Sequence, residues 1–191
     1  MRKIILASAS KARQKLLRQI GLKFQVAAPD VLESRKLKTN CEDLVIQNAL
    51  KKAKGVARKF KSGVVISADT IVSVNNKIIG KPKNLKSAFK TLKLLSQRPQ
   101  WVYTGVVVMD LDKKRVFSDY EKTRIYMCRI PDEQIWNYFK RVSPLDKAGS
   151  FDIQGLGSIF IDRIEGCFYN VVGLPLAKVA KMLKKTGIDV F

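Results

Sequence analysis

The stretch Val64-Val65-Ile66-Ser67-Ala68-Asp69-Thr70-Ile71-Val72 constrains the fold of this chain more than any other. β-Branched residues crowd both sides of one carboxylate, which predicts a buried strand interrupted at Asp69. A buried charge without a partner costs on the order of several kcal/mol, so something must answer Asp69: a turn, N–H donors, a lysine or arginine, or a metal ion. The plain alternative is a strand that ends at Asp69 in an Asx-turn.

The 191 residues fit one domain, 1–191, with ample length for a core. No apolar run approaches the roughly 18–20 residues that cross a bilayer, so no membrane partner is expected. Met1-Arg2-Lys3-Ile4-Ile5-Leu6-Ala7-Ser8 imitates a signal peptide, but its apolar core is short and a basic helix follows at once. It reads as a first strand in a cytoplasmic protein. Cys41, Cys128 and Cys167 are far apart and outside CxxC spacing, in keeping with a reducing compartment. Histidine is absent, which excludes Ser-His-Asp and Cys-His catalysis and every histidine-containing metal site. What remains for chemistry is carboxylates, lysines, arginines, hydroxyls and a hard cation held by oxygen.

Lysine and arginine number 37 against 16 acids, a net charge of +21. That excess calls for an anionic partner, nucleic acid or a phosphorylated small molecule, or it is a lysine-biased surface. The lysines are scattered over helix faces (Lys51, Lys54, Lys90, Lys93, Lys184, Lys185), with no arginine-rich tail or aromatic RNA-binding motif.

Along the chain, residues 3–8 predict a strand and 11–20 a helix with Ala12, Leu16, Leu17 and Ile20 inward. The serine-rich turn between them, Ser8-Ala9-Ser10, either caps the helix or offers a phosphate its hydroxyls and N–H groups, with Arg13 able to close over the anion. Residues 22–38 read as irregular and hold the isolated acid Glu33. Thr39 and Glu42 have capping-box spacing and open a helix to about Phe60, with Val45, Ala49, Ala53, Val56 and Phe60 inward. Lys52 stands about 20° from Val45 around that helix, so it either snorkels or points along the core edge to an anion. Asn75-Asn76-Lys77 predicts a hairpin-like turn, Gly80-Lys81-Pro82 a rigid loop, and Asn84 the cap of a helix with Leu85, Ala88, Leu92 and Leu95 inward. Two strands about the turn 110–114 follow, then a short helix from Pro131 bearing Ile135, Trp136 and Phe139. After the glycine-rich loop 146–157, Ser158–Asp162 and Phe168–Val172 predict a closing pair of strands, and a last helix turns Leu176, Val179, Ala180 and Leu183 inward. Gly155-Leu156-Gly157 lacks the rest of a dinucleotide fingerprint, and no GxxxxGK[ST] occurs. The predicted class is α/β, a mixed sheet flanked by helices.

Five stretches in order resemble the Maf-like nucleotide pyrophosphatases: Leu6-Ala7-Ser8-Ala9-Ser10 with Arg13, Lys52-Ala53, Ser67-Ala68-Asp69-Thr70, Gly80-Lys81-Pro82, and Lys147-Ala148-Gly149 with Ile153-Gln154-Gly155. The resemblance implies a twisted mixed sheet like that of inosine triphosphate pyrophosphatases, a possible homodimer, and hydrolysis of nucleoside triphosphates to monophosphate and pyrophosphate with a divalent cation, Mg²⁺ or Mn²⁺. It implies Asp69 as general base, Ser8, Arg13, Lys52 and Lys81 around the phosphates, and Glu33 as an acidic site residue. By its chemistry Asp69 can serve as that base or as a metal ligand, and Asp69 and Glu33 are the carboxylates that could supply a Mg²⁺ site. Ala12, Thr70, Gln154 and Lys147 fall at substrate-binding positions. The Ile153-Gln154-Gly155 form implies the dTTP/UTP subgroup, yet Ala12 replaces an arginine that the resemblance links to the same preference. A house-cleaning role in nucleotide metabolism follows from the activity. The alternatives are a non-catalytic basic nucleic-acid-binding protein and a regulator of cell division; for this family nucleic acid is the less expected partner.

Overall fold

The computed structural model describes residues 2–34, 40–75, 77–145 and 147–191. In chain order the elements are β1 (Ile4–Leu6), α1 (Lys11–Gln19), β2 (Gln25–Val26), α2 (Cys41–Ala57), β3 (Val64–Val74), β4 (Lys77–Ile79), α3 (Leu85–Leu95), β5 (Gln100–Asp110), β6 (Arg115–Met127), α4 (Asp132–Arg141), β7 (Ile161–Glu165), α5 (Phe168–Val172) and α6 (Leu176–Lys185). A 3-10 turn, Leu156–Phe160, precedes β7. Among the described residues the strands make one mixed sheet in the order β2-β1-β3-β5-β6-β7, with β4 paired to β3. β1 runs parallel to β2 and β3, while β4 pairs antiparallel with β3 and β7 with β6. The expected mixed α/β class is borne out.

By contact density the chain divides into two compact units. One comprises Met1–Thr70, Thr104–Glu121 and Val172–Phe191. Its core joins Ala49, Ala53 and Val56 of α2 to Ile5, Ala7, Val65, Val107 and Met109 of the sheet. Alternate residues of a strand face one side, so Val65 in this layer places Ser67 and Asp69 towards α2 as well. The Ser67 hydroxyl confirms the direction by donating to the Ala49 carbonyl at 2.7 Å. Gly105 completes this fit: a Cβ there would lie 2.4 Å from the Val45 carbonyl carbon, so only glycine lets β5 approach α2 so closely.

The other unit, Ile71–Tyr103 and Lys122–Val171, packs Leu92 and Leu95 of α3 and Ile135 and Tyr138 of α4 against Val72, Val74, Val102 and Ile125. Its loop before the 3-10 turn is fixed by Phe151 in that core and by the Asp152 N–H, which donates to the Tyr138 hydroxyl at 3.0 Å. A side chain at Gly157 would meet the Asp152 backbone at 2.7 Å.

Several expectations need correction. β3 runs unbroken through Asp69, with neither interruption nor Asx-turn, because partners from α2 satisfy the carboxylate inside the strand. Asn40, not Thr39, caps α2, its side chain accepting from the Asp43 N–H at 2.7 Å; Thr39 lies outside the described residues, as do Asn76 of the expected hairpin turn and Asp146 of the glycine-rich loop. Phe168–Val172 is helical rather than a closing strand, and Ser158–Phe160 belongs to the 3-10 turn. Short apolar runs do not reveal their period. The deciding contact is long-range: Asn170 of α5 is buried and donates to the Val102 carbonyl and the Thr123 hydroxyl. Leu85 and Trp136 are exposed, and Met182 rather than Ala180 is buried on α6. Gln25–Val26, in the stretch read as irregular, pairs with β1.

Candidate functional site

Helix α2 presents Val45, Asn48, Ala49, Lys52, Ala53 and Val56 as its buried face, a spacing of three and four that lines one side of a helix. Two of these six are polar, and both meet Asp69. Lys52 Nζ lies 2.6 Å from Asp69 Oδ1, and Asn48 Nδ2 donates to Asp69 Oδ2 at 2.8 Å. Asp69 is 4% and Lys52 5% exposed, so the ion pair is withdrawn from solvent and Lys52 does not snorkel. The ammonium also reaches Glu33 Oε1 at 2.6 Å and the Ala68 carbonyl at 3.3 Å. Three donor hydrogens thus meet three acceptors, and one lysine holds two carboxylates together. Glu33 differs from Asp69 in keeping 41% of its side chain exposed.

Asn48 carried no signal of chemistry in the sequence except its place, about 60° from Val45 around α2 and within the apolar stripe. A polar residue at such a position must find partners. Besides Asp69, its amide pairs with the backbone of Ser34: Nδ2 donates to the Ser34 carbonyl at 2.9 Å, and Oδ1 accepts the Ser34 N–H at 3.0 Å.

Arg13, in the first turn of α1, is the second buried cation. Its Nε donates to the Gly173 carbonyl at 2.8 Å, Nη1 to the Ala68 carbonyl at 2.8 Å and the Ser8 hydroxyl at 3.3 Å, and Nη2 to the Thr70 hydroxyl at 2.9 Å. Burial pushes the guanidinium below its ordinary value, and the charges of Asp69 and Glu33 oppose that push. Gly173 can present its carbonyl because it sits at φ +117°, a conformation open to glycine. The Thr70 hydroxyl also bonds the Thr104 hydroxyl at 2.9 Å. Of the serines before α1, Ser10 is the cap, accepting from the Arg13 N–H, while the buried Ser8 hydroxyl accepts from the Ser10 N–H and from Arg13. Ala12 is half-buried beside Arg13.

Ser8, Arg13, Glu33, Lys52, Asp69 and Thr70 therefore gather in the first unit, together with Asn48. Lys81, Lys147 and Gln154 belong to the second. Lys81 is exposed in the loop after β4, Lys147 is half-buried with its ammonium donating to the Ser143 carbonyl at 3.4 Å, and Gln154 is exposed beyond Asp152, whose carboxylate accepts the Gln154 N–H at 3.0 Å.

Among the described residues no group of three or more His, Cys, Asp or Glu side chains converges as a self-sufficient metal cage. Asp69 and Glu33 nonetheless fit a hard cation: both are oxygen donors and both point at one positive group. Mg²⁺ commonly takes only one or two carboxylates and completes its shell with water and phosphate oxygens.

The family model described as "Maf-like protein" matches residues 3–186. The dTTP/UTP pyrophosphatase of Methanosarcina barkeri is 46% identical over 192 aligned residues, covering 100% of this chain and 98% of the relative. That of Caldicellulosiruptor bescii is 43% identical, covering 99% and 97%, and that of Carboxydothermus hydrogenoformans 43% identical, covering 97% and 99%. Among solved structures, the Ham1 protein of Staphylococcus aureus aligns with a TM-score of 0.47 and 16% identity over 67% of this chain and 73% of its own.

Proposed function

Since the chain belongs to the Maf-like protein family, we propose that it is a nucleoside triphosphate pyrophosphatase, a hydrolase that adds water across the α–β phosphoanhydride bond and yields monophosphate and pyrophosphate. The observation that carries this reading is the Asp69–Lys52–Glu33 cluster, buried on one side and open at Glu33. Phosphoryl transfer needs little covalent help from protein; it needs positioning, charge neutralisation and an orienter for the attacking water.

In this reading Asp69 takes the proton of the attacking water, with Lys52 and Asn48 fixing the direction of its two oxygens. The triphosphate carries about four negative charges, against which Arg13, Lys52 and Lys81 set three cations. Arg13 also sets the Ser8 and Thr70 hydroxyls in place. Glu33, partly exposed and paired with Lys52, can yield its place at the ammonium to a phosphate oxygen. Asp69 and Glu33 would hold a divalent cation, Mg²⁺ or Mn²⁺, which when bound supplies charge for the phosphate oxygens. Gln154, with donor and acceptor on one amide, and Ala12 and Lys147 are assigned to the nucleotide, of the dTTP and UTP class that the relatives' names give. A single domain, the cytoplasm and a homodimer complete the proposal; the three free cysteines suit a reducing compartment.

The test is pyrophosphate against orthophosphate release from dTTP, UTP, CTP and GTP, with Mg²⁺, with Mn²⁺ and with chelator. Metal-dependent pyrophosphate release, led by dTTP and UTP and abolished in an Asp69→Asn variant that still folds, is the expected result. Release of orthophosphate alone, or an Asp69→Asn variant as active as wild type, would remove the reading.

A further inference from the structure

Asn48 does something that neither the fold nor the charges of the cluster require. It is 2% exposed, on the face of α2 that packs on the sheet, where an alanine or leucine would bury as well without needing partners. Its three bonds run to two separate parts of the chain. One reaches Asp69 in the middle of β3, and two clasp the Ser34 peptide from its N–H and its carbonyl. The amide has one workable orientation. Nδ2 faces a carboxylate and a carbonyl, both acceptors, and Oδ1 faces an N–H; a reversed amide would set oxygen against oxygen at two contacts and N–H against N–H at the third.

Ser34 follows Glu33 directly, and residues 27–34 form neither helix nor strand. Glu33 has half-solvated surroundings and bonds the end of a lysine, whose long flexible stem fixes distance better than direction. The clasp on the adjacent backbone adds a constraint of direction. Asn48 has a short side chain rooted in a packed helix, and it refers the backbone of the Glu33 loop to the same carboxylate that Lys52 joins to Glu33. The four side chains and the Ser34 backbone thereby close a ring, Asp69–Lys52–Glu33–Ser34–Asn48–Asp69, in which each link is a bond of 3.0 Å or less or a chain neighbour.

We propose that Asn48 is a positioning residue that sets the separation and direction of Glu33 relative to Asp69. Its consequence for turnover rests on the pyrophosphatase reading above, whereas the tie to the loop does not. Catalytic groups displaced by about 1 Å lose on the order of 100-fold in rate, so a residue that fixes two carboxylates acts on kcat more than on substrate binding.

The experiment uses the full chain with three variants: Asn48→Leu, which keeps shape and removes all three bonds; Asn48→Asp, which keeps shape but sets a second carboxylate against Asp69; and Glu33→Gln, alone and combined with Asn48→Leu. Hydrogen exchange at the Ser34 amide is followed by NMR, and steady-state kinetics are measured with dTTP. In Asn48→Leu the Ser34 amide is expected to exchange at least tenfold faster, while amides within α2 and β3 keep their protection. kcat is expected to fall about 10- to 100-fold with KM within about threefold. Asn48→Asp is expected to be the slower enzyme despite its closer likeness to asparagine, an order that a packing role would not produce. In the Glu33→Gln background Asn48→Leu is expected to cost less than about threefold more, because the two changes remove one arrangement. Unchanged Ser34 exchange, or losses that multiply in full in the double variant, would overturn the proposal. If Asn48→Leu does not fold, Asn48→Ser, smaller and still polar, carries the same readouts. Should wild type release no pyrophosphate, the function proposed above falls, and the Ser34 exchange rate alone then decides for or against the tie.

Discussion

Lys52 shows at the scale of one residue how stability and chemistry share a group. Its ammonium is the counter-charge of a carboxylate that the strand buries, and removing one partner of such a pair leaves the other uncompensated. Lys52→Met, which keeps the stem and deletes the charge, is expected to cost about 3 kcal/mol, since the bland loss of a solvated lysine would cost almost nothing. For a chain of this size that is a fall of roughly 6–12 °C in melting temperature, together with loss of turnover. A variant melting with wild type by calorimetry would show that Asp69 finds other compensation. Much of this was legible in the sequence: a carboxylate inside a β-branched run had to be answered, and Lys52 stood at the edge of a helical stripe. What was not legible was the answer itself. Whether Lys52 snorkels or turns inward depends on which strand lies under α2, and that is a matter of topology rather than of local pattern. Asn48 was missed for the same reason, since its meaning lies wholly in Asp69 and Ser34, which are 21 and 14 positions away.

At the scale of elements, the sequence located helices better than it located ends and short segments. The amphipathic stripes of α1, α2, α3 and α6 were visible because burial repeats with the helical period, whereas the five-residue α5 gives a period no room to show. The closeness of β5 to α2 was equally hidden, because a glycine in a β-prone run announces a special position without naming the neighbour. Gly105→Ala is expected to be among the most damaging single changes in the first unit. Its new Cβ would fall 2.4–2.6 Å from backbone atoms of Val45 and Ile46, which no rotamer change can relieve. A loss of several kcal/mol, on the order of 3, should appear in chemical denaturation, and a neutral variant would mean that α2 can slide away from the sheet. A second link joins element ends. Arg2, before β1, donates to Asp110 at the end of β5, to Asp112, and to the Thr186 carbonyl that follows α6. Asp110 is fully buried, and its bonds from Arg2 hold its carboxyl below the usual range despite the opposing effect of burial. A carboxylate depressed in the folded state contributes stability above its unfolded pKa of about 3.9 and loses that contribution as pH falls through the folded value. Asp110→Asn should therefore melt several degrees below wild type at pH 7, with the gap narrowing steadily below about pH 4. A gap independent of pH would assign the loss to packing rather than to charge.

For the molecule as a whole the governing quantity is charge, 37 basic against 16 acidic residues. Lys51, Lys54, Lys90, Lys184 and Lys185 are exposed on α2, α3 and α6, and Lys184 pairs with Asp189 at 3.6 Å. Such a surface repels itself in the folded state and attracts a polyphosphate from a distance, and both effects are screened by salt. The screening length falls from about 30 Å at 0.01 M to about 8 Å at 0.15 M, which spans the size of this chain. Two opposite trends are therefore expected over that range. The melting temperature should rise with added sodium chloride as self-repulsion is damped, while kcat/KM for dTTP falls severalfold and kcat stays within about twofold, because the attraction acts on encounter and not on the bound state. The same titration separates the enzyme from the nucleic-acid binder that the charge alone would permit. A binder would hold single- or double-stranded DNA with an affinity that drops by orders of magnitude between 0.05 and 0.2 M salt, in proportion to the phosphates it contacts, and would cleave no triphosphate at any salt concentration. An enzyme whose lysines serve only to solvate it would instead show a flat kcat/KM, and the charge would then have to be explained by the composition of the surface rather than by the substrate.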